Sequence, residues 1–172
     1  MAFTLRLRSL RLEDESAFLH AQHVMHEHDD YQFGLFYAAG MPFAEYLVEL
    51  DERRTRQVTN ETVGSTFLVA EVDNRIVGRV SIRHGLNDFL RRYGGHIGYC
   101  VLPDDRRCGY ATQILRQSLV ITSAMGLDRV MLTCDDDNIG SITVIESCGG
   151  LLTATVAADD PTRATKRHYW IG

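Results

Sequence analysis

Apolar and polar positions change period along the chain, and the changes mark its elements. Phe3, Leu5 and Leu7 alternate with Thr4, Arg6 and Arg8, the period of a half-buried strand. From about Glu13 to His28 the period becomes helical. Phe18, Ala21 and Met25 share a face, and Glu13, Asp14 and Glu15 stand at the positive helix start. Pro42, a favoured first helical residue, opens a second predicted helix whose apolar side is Phe43, Tyr46, Leu47 and Leu50. Thr55 to Ser65 is polar and reads as a loop. Two strands follow, Phe67–Val72 and Ile76–Ile82, joined at Asp73-Asn74, a hairpin-turn pair. A strand over His96–Leu102 is stopped by Pro103. Gly109 to Met125 predicts a long helix closed by Gly126. Val130–Cys134 reads as a buried strand and Asn138–Cys148 as a short helix ended by Gly149. Strands over Leu151–Ala157 and His168–Ile171 complete the chain.

The predicted order is β-α-α-β-β-β-α-β-α-β-β, with no linker, repeat or low-complexity tract. It describes one mixed α/β (α+β) domain over residues 1–172, with an antiparallel front and at least one strand-helix-strand crossover. Composition agrees: 172 residues, 45% hydrophobic and 24% charged, supply enough apolar surface for a core. The net charge of -5 argues against a broad basic surface for nucleic acid or anionic lipid. No apolar run approaches the roughly 20 residues that span a bilayer, and the alternating start lacks the unbroken apolar stretch of a signal peptide. Cys100, Cys108, Cys134 and Cys148 form no CxxC pair. They read as reduced, mostly buried thiols of a cytoplasmic protein, outside any zinc-site spacing.

The chemistry concentrates in Pro103-Asp104-Asp105-Arg106-Arg107-Cys108-Gly109-Tyr110-Ala111-Thr112, between a buried strand and an amphipathic helix. A glycine there lets a ligand approach the main chain. The first helical turn offers unpaired N–H groups and the positive dipole end. With two arginines just before it, the segment is a candidate pyrophosphate cradle. It is neither a Walker loop, for GxxxxGK[ST] is absent, nor a dinucleotide fingerprint, for GxGxxG is absent.

Arg106-x-x-Gly109-x-Ala111 resembles the R/Q-x-x-G-x-G/A signature of the GNAT N-acetyltransferases. Asn138-x-x-Ser141, running to Glu146-Ser147-Cys148-Gly149-Gly150, is similar to a later block of that family. The ending Lys166–Ile171 resembles a bacterial subgroup of predicted acetyltransferases. The resemblance implies a GNAT-like, mostly antiparallel central sheet flanked by helices, splayed open beside the strand before the signature. It implies acetyl-CoA as co-substrate, no metal, and a small-molecule or peptide amine as acceptor. A homodimer is compatible with it.

It also implies residue roles. The N–H groups from Arg107 through Cys108, Gly109, Tyr110 and Ala111 to Thr112 would hold a diphosphate, with Arg106 and Arg107 adding charge. The backbone of Cys100, Val101 and Leu102 would pair with the pantetheine arm. Asn138 and Ser141 would contact the coenzyme near its thiol. His96 stands where the family often has glutamate and is the candidate base. The family's tyrosine acid on the helix after the asparagine is replaced by Ile145, which leaves Tyr99, Tyr110 and Tyr169 as candidates, each also readable as a packing residue, and Tyr99 is the one taken as catalytic. The implied reaction is direct attack of an amine on the thioester. The alternative is a non-catalytic acyl-CoA-binding module that kept the cradle.

Three other clusters are open to two readings. His20, His23, His26 and His28 lie at helical spacing that can bind a transition metal, without an accompanying metal signature. A solvated face, or a contribution to the acceptor pocket with Tyr31–Gly34, accounts for them as well. Asp135, Asp136 and Asp137 would attract a cationic acceptor or charge the start of the next helix. Cys134 and Cys108 would serve an acyl-cysteine route if accessible.

Overall fold

The computed structural model describes residues 4–159 and 164–172. Its elements follow the predicted order: β1 Arg6–Arg8, α1 Glu15–Asp29, α2 Phe43–Arg53, β2 Ser65–Val72, β3 Arg75–Arg83, β4 Ile97–Val101, α3 Tyr110–Ala124, β5 Val130–Asp135, α4 Ile139–Ser147, β6 Leu151–Val156 and β7 Lys166–Ile171. Phe3, expected to open the first strand, lies outside the described residues. Pro42 precedes α2 instead of starting it. Its extended backbone delivers the chain into the helix, and its carbonyl accepts from Tyr46 N–H at 3.1 Å. The stretch between β3 and β4 carries a turn of π-helix over Leu90–Gly94 that periodicity does not reveal, because five residues are too few to set a period.

The strands form two sheets. One has the order β1-β2-β3-β4 and the other β5-β7-β6, antiparallel at every pairing. Asp73 and Asn74 both take positive φ, 50° and 61°, as a two-residue hairpin matching the right-handed strand twist requires. Side chains of one strand face opposite sides, so each sheet residue joins one of two cores. Ile97, Val101, Val80 and Ile82 pack with Tyr110, Ile114 and Leu115 of α3 and Ile142 and Ile145 of α4. The other face carries Phe67, Val69 and Leu102 against Phe18, Ala21 and Met25 of α1 and Phe43, Tyr46 and Leu50 of α2. There Phe18 lies 5.1–6.0 Å, ring centre to ring centre, from Phe33, Tyr37, Phe43 and Tyr46.

A buried ionic network ties β1 to this frame. Glu71 of β2 accepts from Arg6 and Arg8, each Nε at 2.6 Å, and Arg8 also reaches Asp14 at 2.6 and 2.8 Å. Burial pushes the Glu71 and Asp14 carboxyls up. The guanidiniums more than offset it, and both pKa values fall below the ordinary range.

Candidate active site

Between β4 and β5 the two sheets part. No ladder joins these strands, and main-chain contact is confined to one end. His96 N–H donates to Met131 O at 2.7 Å there. Gly95 makes the approach possible, since a β-carbon on it would fall 2.5 Å from Met131 O. Toward Val101 the strands diverge. Arg83 N–H bonds His96 O, and Leu102 N–H bonds Val77 O. By alternation, the main-chain groups of residues 98 and 100 also face β3, while those of Tyr99 and Val101 face the opening. The opening beside β4 is thus a wedge with one exposed backbone edge. Of that edge, Val101 O accepts from Arg106 Nε at 3.2 Å.

The start of α3 stands at the mouth of the wedge. A 3-10 turn at Pro103–Asp105 leads to Arg107, at φ 64°, and Gly109, at φ 78°. The two left-handed residues turn the chain so that α3 begins with its N–H groups outward. Gln113 N–H is the first to bond back, to Gly109 O at 3.2 Å. Among the described residues, none of the N–H groups from Arg107 to Thr112 donates to a protein acceptor. A β-carbon on Gly109 would meet nothing within 4 Å, so the space before these amides is open. A row of unclaimed amides at the positive end of a 15-residue helix has the donors and the field that suit an anionic group.

The two arginines behave differently. Arg107 is exposed and without a side-chain partner, which leaves its charge to the cradle. Arg106 is committed elsewhere: besides Val101 O it holds the Asp29 carboxylate at the end of α1 and touches Met25 Sδ at 4.0 Å. It fastens α1 to the loop before α3. Cys108 is exposed, because the two left-handed residues lift the turn off the core. Cys134 is buried and Cys100 and Cys148 half-buried, all as free thiols. Burial raises Cys134 to about 11, well above the range of a ready thiolate.

His96 occupies the closed end of the wedge, 7% exposed. Its Nδ1 accepts the Met131 N–H at 2.9 Å, and its ring meets Trp170 edge-on at 6.2 Å between centres. Accepting at Nδ1 places the ring proton on Nε2, so no lone pair is free for a substrate proton. Burial, aided by the charges of Arg91 and Arg83, pushes its pKa down to about 4. The expected base is here a pin between the sheets. Tyr99 differs. Its Oη is buried and has no hydrogen-bond partner. Ser141 lies near enough to act on its pKa but outside hydrogen-bonding geometry, and Cys134 and Cys148 line the same space. Burial raises the hydroxyl's pKa far above neutrality, so it keeps its proton.

The remaining candidates sort by contact. Asn138 caps α4 by accepting from Ser141 N–H at 3.0 Å, which brings both residues of the later motif to the wedge wall. Tyr110 is core, and buried Tyr169 donates to Glu146 at 3.0 Å. Asp135 and Asp136 pair with Lys166 and Arg167 of β7 and hold a strand, leaving little field for an acceptor. His20, His23, His26 and His28 are exposed on α1, the last three beside Glu27, Asp30 and Asp29. Among the described residues no group of His, Cys, Asp and Glu stands together to hold a metal. Nor is any helix among them long and apolar enough to cross a membrane.

The acetyltransferase (GNAT) domain family matches residues 4–150. The chain belongs to the GNAT acetyltransferases. Solved GNAT structures share its fold from end to end. A putative acetyltransferase of Salmonella typhimurium, yncA, solved with acetyl-CoA, is 15% identical, with 99% of this chain and 94% of that one covered at a TM-score of 0.65. RimJ of Mycobacterium smegmatis, in complex with CoA-disulfide, is 20% identical over 97% of this chain and 81% of that one, TM-score 0.70. The spermidine N-acetyltransferase of Vibrio cholerae, with CoA and spermine, is 16% identical over 97% and 94%, TM-score 0.67. No curated protein matches the chain by sequence. The GNAT fold accounts for the parted sheets.

Two residues that sequence reasoning passed over lie beside the β4 strand. Arg79 and Arg83 lie on the β4-facing strand β3, on the side covered by α1 and α2. The signal was a pair of arginines four apart in Ile76–Arg83, an otherwise apolar strand, for buried arginine is rare without a reason.

Proposed function

We propose that the chain is an acetyl-CoA-dependent N-acetyltransferase that moves the acetyl group to a primary amine of a small molecule or peptide. The observation that carries this is the unclaimed row of N–H groups from Arg107 to Thr112, opening on the exposed edge of β4. CoA or acetyl-CoA complexes among the solved relatives support the same ligand.

The amides and Arg107 would hold the diphosphate, with Thr112 adding a hydroxyl. The Tyr99–Val101 edge, between Cys100 and Leu102 on β4, would take the pantetheine arm, with Asn138 and Ser141 on the facing wall. Acetyl-CoA supplies an activated acyl carbon. The acceptor must present a neutral nitrogen: for a lysine-like amine with pKa near 10.4 this costs about 4.6 kcal/mol at pH 7, and for an α-amine near 7.7 about 1 kcal/mol. His96 offers no free lone pair, so the amine's proton leaves to water. Nitrogen bonds the acyl carbon, and the oxyanion that develops is met by a main-chain N–H of the β4 edge, Tyr99 or Val101. The nitrogen, now cationic, gives its second proton to water, and the C–S bond breaks. A thiolate with pKa near 8.5 needs modest help: the Tyr99 hydroxyl, protonated and unclaimed, would donate a hydrogen bond to the departing sulfur, and the thiolate takes its proton from water.

Thiol release from acetyl-CoA across a panel of amines tests the proposal. Amine-dependent release supports it. CoA binding without release on any amine points instead to an acyl-CoA-binding module, the reading that Ile145 in place of the family's tyrosine favours.

A further inference from the structure

At least eight arginines of this acidic chain face carboxylates. Arg6 and Arg8 face Glu71, Arg53 and Arg56 face Glu49, Arg75 faces Asp105, Arg92 faces Asp159, Arg106 faces Asp29 and Arg167 faces Asp136. Arg79 and Arg83, buried and half-buried on β3, do not. Arg79, 1% exposed, donates only to neutral acceptors: Phe33 O, Gly98 O and Tyr31 Oη at 3.0 Å, and Gln32 O at 3.3 Å. It stitches the loop after α1 to β4 and keeps its full charge there. Arg83, half-buried, makes a single side-chain bond, to Gly94 O at 3.2 Å. Its other N–H groups are neither claimed by protein nor sealed from solvent among the described residues.

Both guanidiniums converge on Gly98. Gly98 O accepts from Arg79, and a β-carbon on Gly98 would fall 2.8 Å from Arg83 Nη1. The missing side chain is what lets Arg83 lie over β4. This is the face of β4 opposite the one packed by α3 and α4, bordered by Tyr31 and open at Gly98 and Cys100. An acceptor approaching the β4 edge from this side meets Arg83, with the uncompensated charge of buried Arg79 behind it. Desolvation and the neighbouring Arg79 push Arg83 down to about 10, the response of a cation short of a counter-ion.

We propose that Arg83, backed by Arg79, selects an acceptor that carries a carboxylate beside its amine, an amino-acid-like substrate and not a polyamine. The inference rests on the acetyltransferase reading above and specifies its acceptor. A guanidinium with unused donors is the group that takes a carboxylate in two parallel bonds. A second ammonium on the acceptor would instead be repelled.

The test uses the full chain with acetyl-CoA and matched probes: L-leucine, L-phenylalanine and L-glutamate, their C-terminal amides, the decarboxylated amines, and spermidine. For the best acceptor, kcat/KM for the acid exceeds that for its amide at least tenfold. Arg83→Gln brings the ratio within threefold, and Arg83→Lys restores part of it. The KM for acetyl-CoA serves as the control for an intact coenzyme site. Should Arg83→Gln melt, the wild-type protein loaded with CoA still decides, because the acids must raise its melting temperature more than the amides do. Preference for amides or spermidine overturns the inference. So does a ratio untouched by Arg83→Gln, an equal loss on acid and amide, or no response to any carboxylate while CoA binds. Failure to bind CoA at all overturns the acetyltransferase reading itself.

Discussion

Protonation of His96 should unpin the two sheets, and the cost follows from its surroundings. The ring accepts the Met131 N–H at Nδ1 in a buried site, and its pKa is pushed from the ordinary 6.5 to about 4. At 1.36 kcal/mol per unit, carrying a proton on His96 costs the folded state about 3 kcal/mol relative to an unshifted histidine. Because the folded pKa lies below the unfolded one, stability is full above about pH 6.5 and declines as pH falls toward 4. His96→Asn supplies an amide oxygen that can accept the same N–H and does not titrate. Urea unfolding of both proteins between pH 4 and 8 isolates the effect, since every other group is shared. The wild type should lose about 3 kcal/mol more than His96→Asn across that window. His96→Ala should cost about 1–3 kcal/mol at pH 7.5, through the orphaned N–H. Parallel pH curves for wild type and His96→Asn, or an imidazole titrating near 6.5 by NMR, would refute the pin.

Other consequences can be measured separately. Glu71→Ala leaves Arg8 with only Asp14 and should cost about 3–5 kcal/mol in chemical denaturation. With the Glu71 and Asp14 pKa values lowered, stability from this network is present above the ordinary carboxylate range and fades as pH falls below about 4. Tyr99→Phe removes a buried hydroxyl without a partner, so the melting temperature should hold or rise slightly. If Oη donates a hydrogen bond to the leaving thiolate, kcat should drop about tenfold or more, and an unchanged kcat removes Tyr99 from the chemistry. Arg107→Gln should weaken CoA binding several-fold and flatten its salt dependence, whereas Arg106→Gln should act mainly on stability, because Arg106 is spent on Asp29 and Val101.

The element order was legible because each element carries its own local period and stop signal. The Asp73-Asn74 turn, the glycine closing α3 and the polar cap of α4 are decided within a few residues. Gly109 was legible for the same reason: a left-handed turn before a helix needs little beyond its own sequence. The separation into two sheets is another matter. Alternation says that β4 and β5 are strands but not that the hydrogen bonds between them are confined to His96 and Met131, residues 35 apart in the chain. His96 therefore read as a base, since an intrinsic pKa is visible in sequence and a buried N–H pointing at it is not. Arg106 similarly read as a free charge, because Asp29, 77 positions away, is brought to it only by the packing of α1. Arg79 and Arg83 were passed over because their meaning lies in the absence of a carboxylate, which only the fold can show.

The central claim is that the amides at the start of α3 hold a coenzyme diphosphate. Isothermal calorimetry of CoA with the wild-type protein and with Gly109→Val tests it directly. The valine would fill the open space before the amides, and its strain at φ 78° should cost about 1–2 kcal/mol of stability. The account predicts saturable one-to-one binding to the wild type, reduced at least a hundredfold in a folded Gly109→Val protein. No heat from the wild type, or equal affinity in the two, would contradict it.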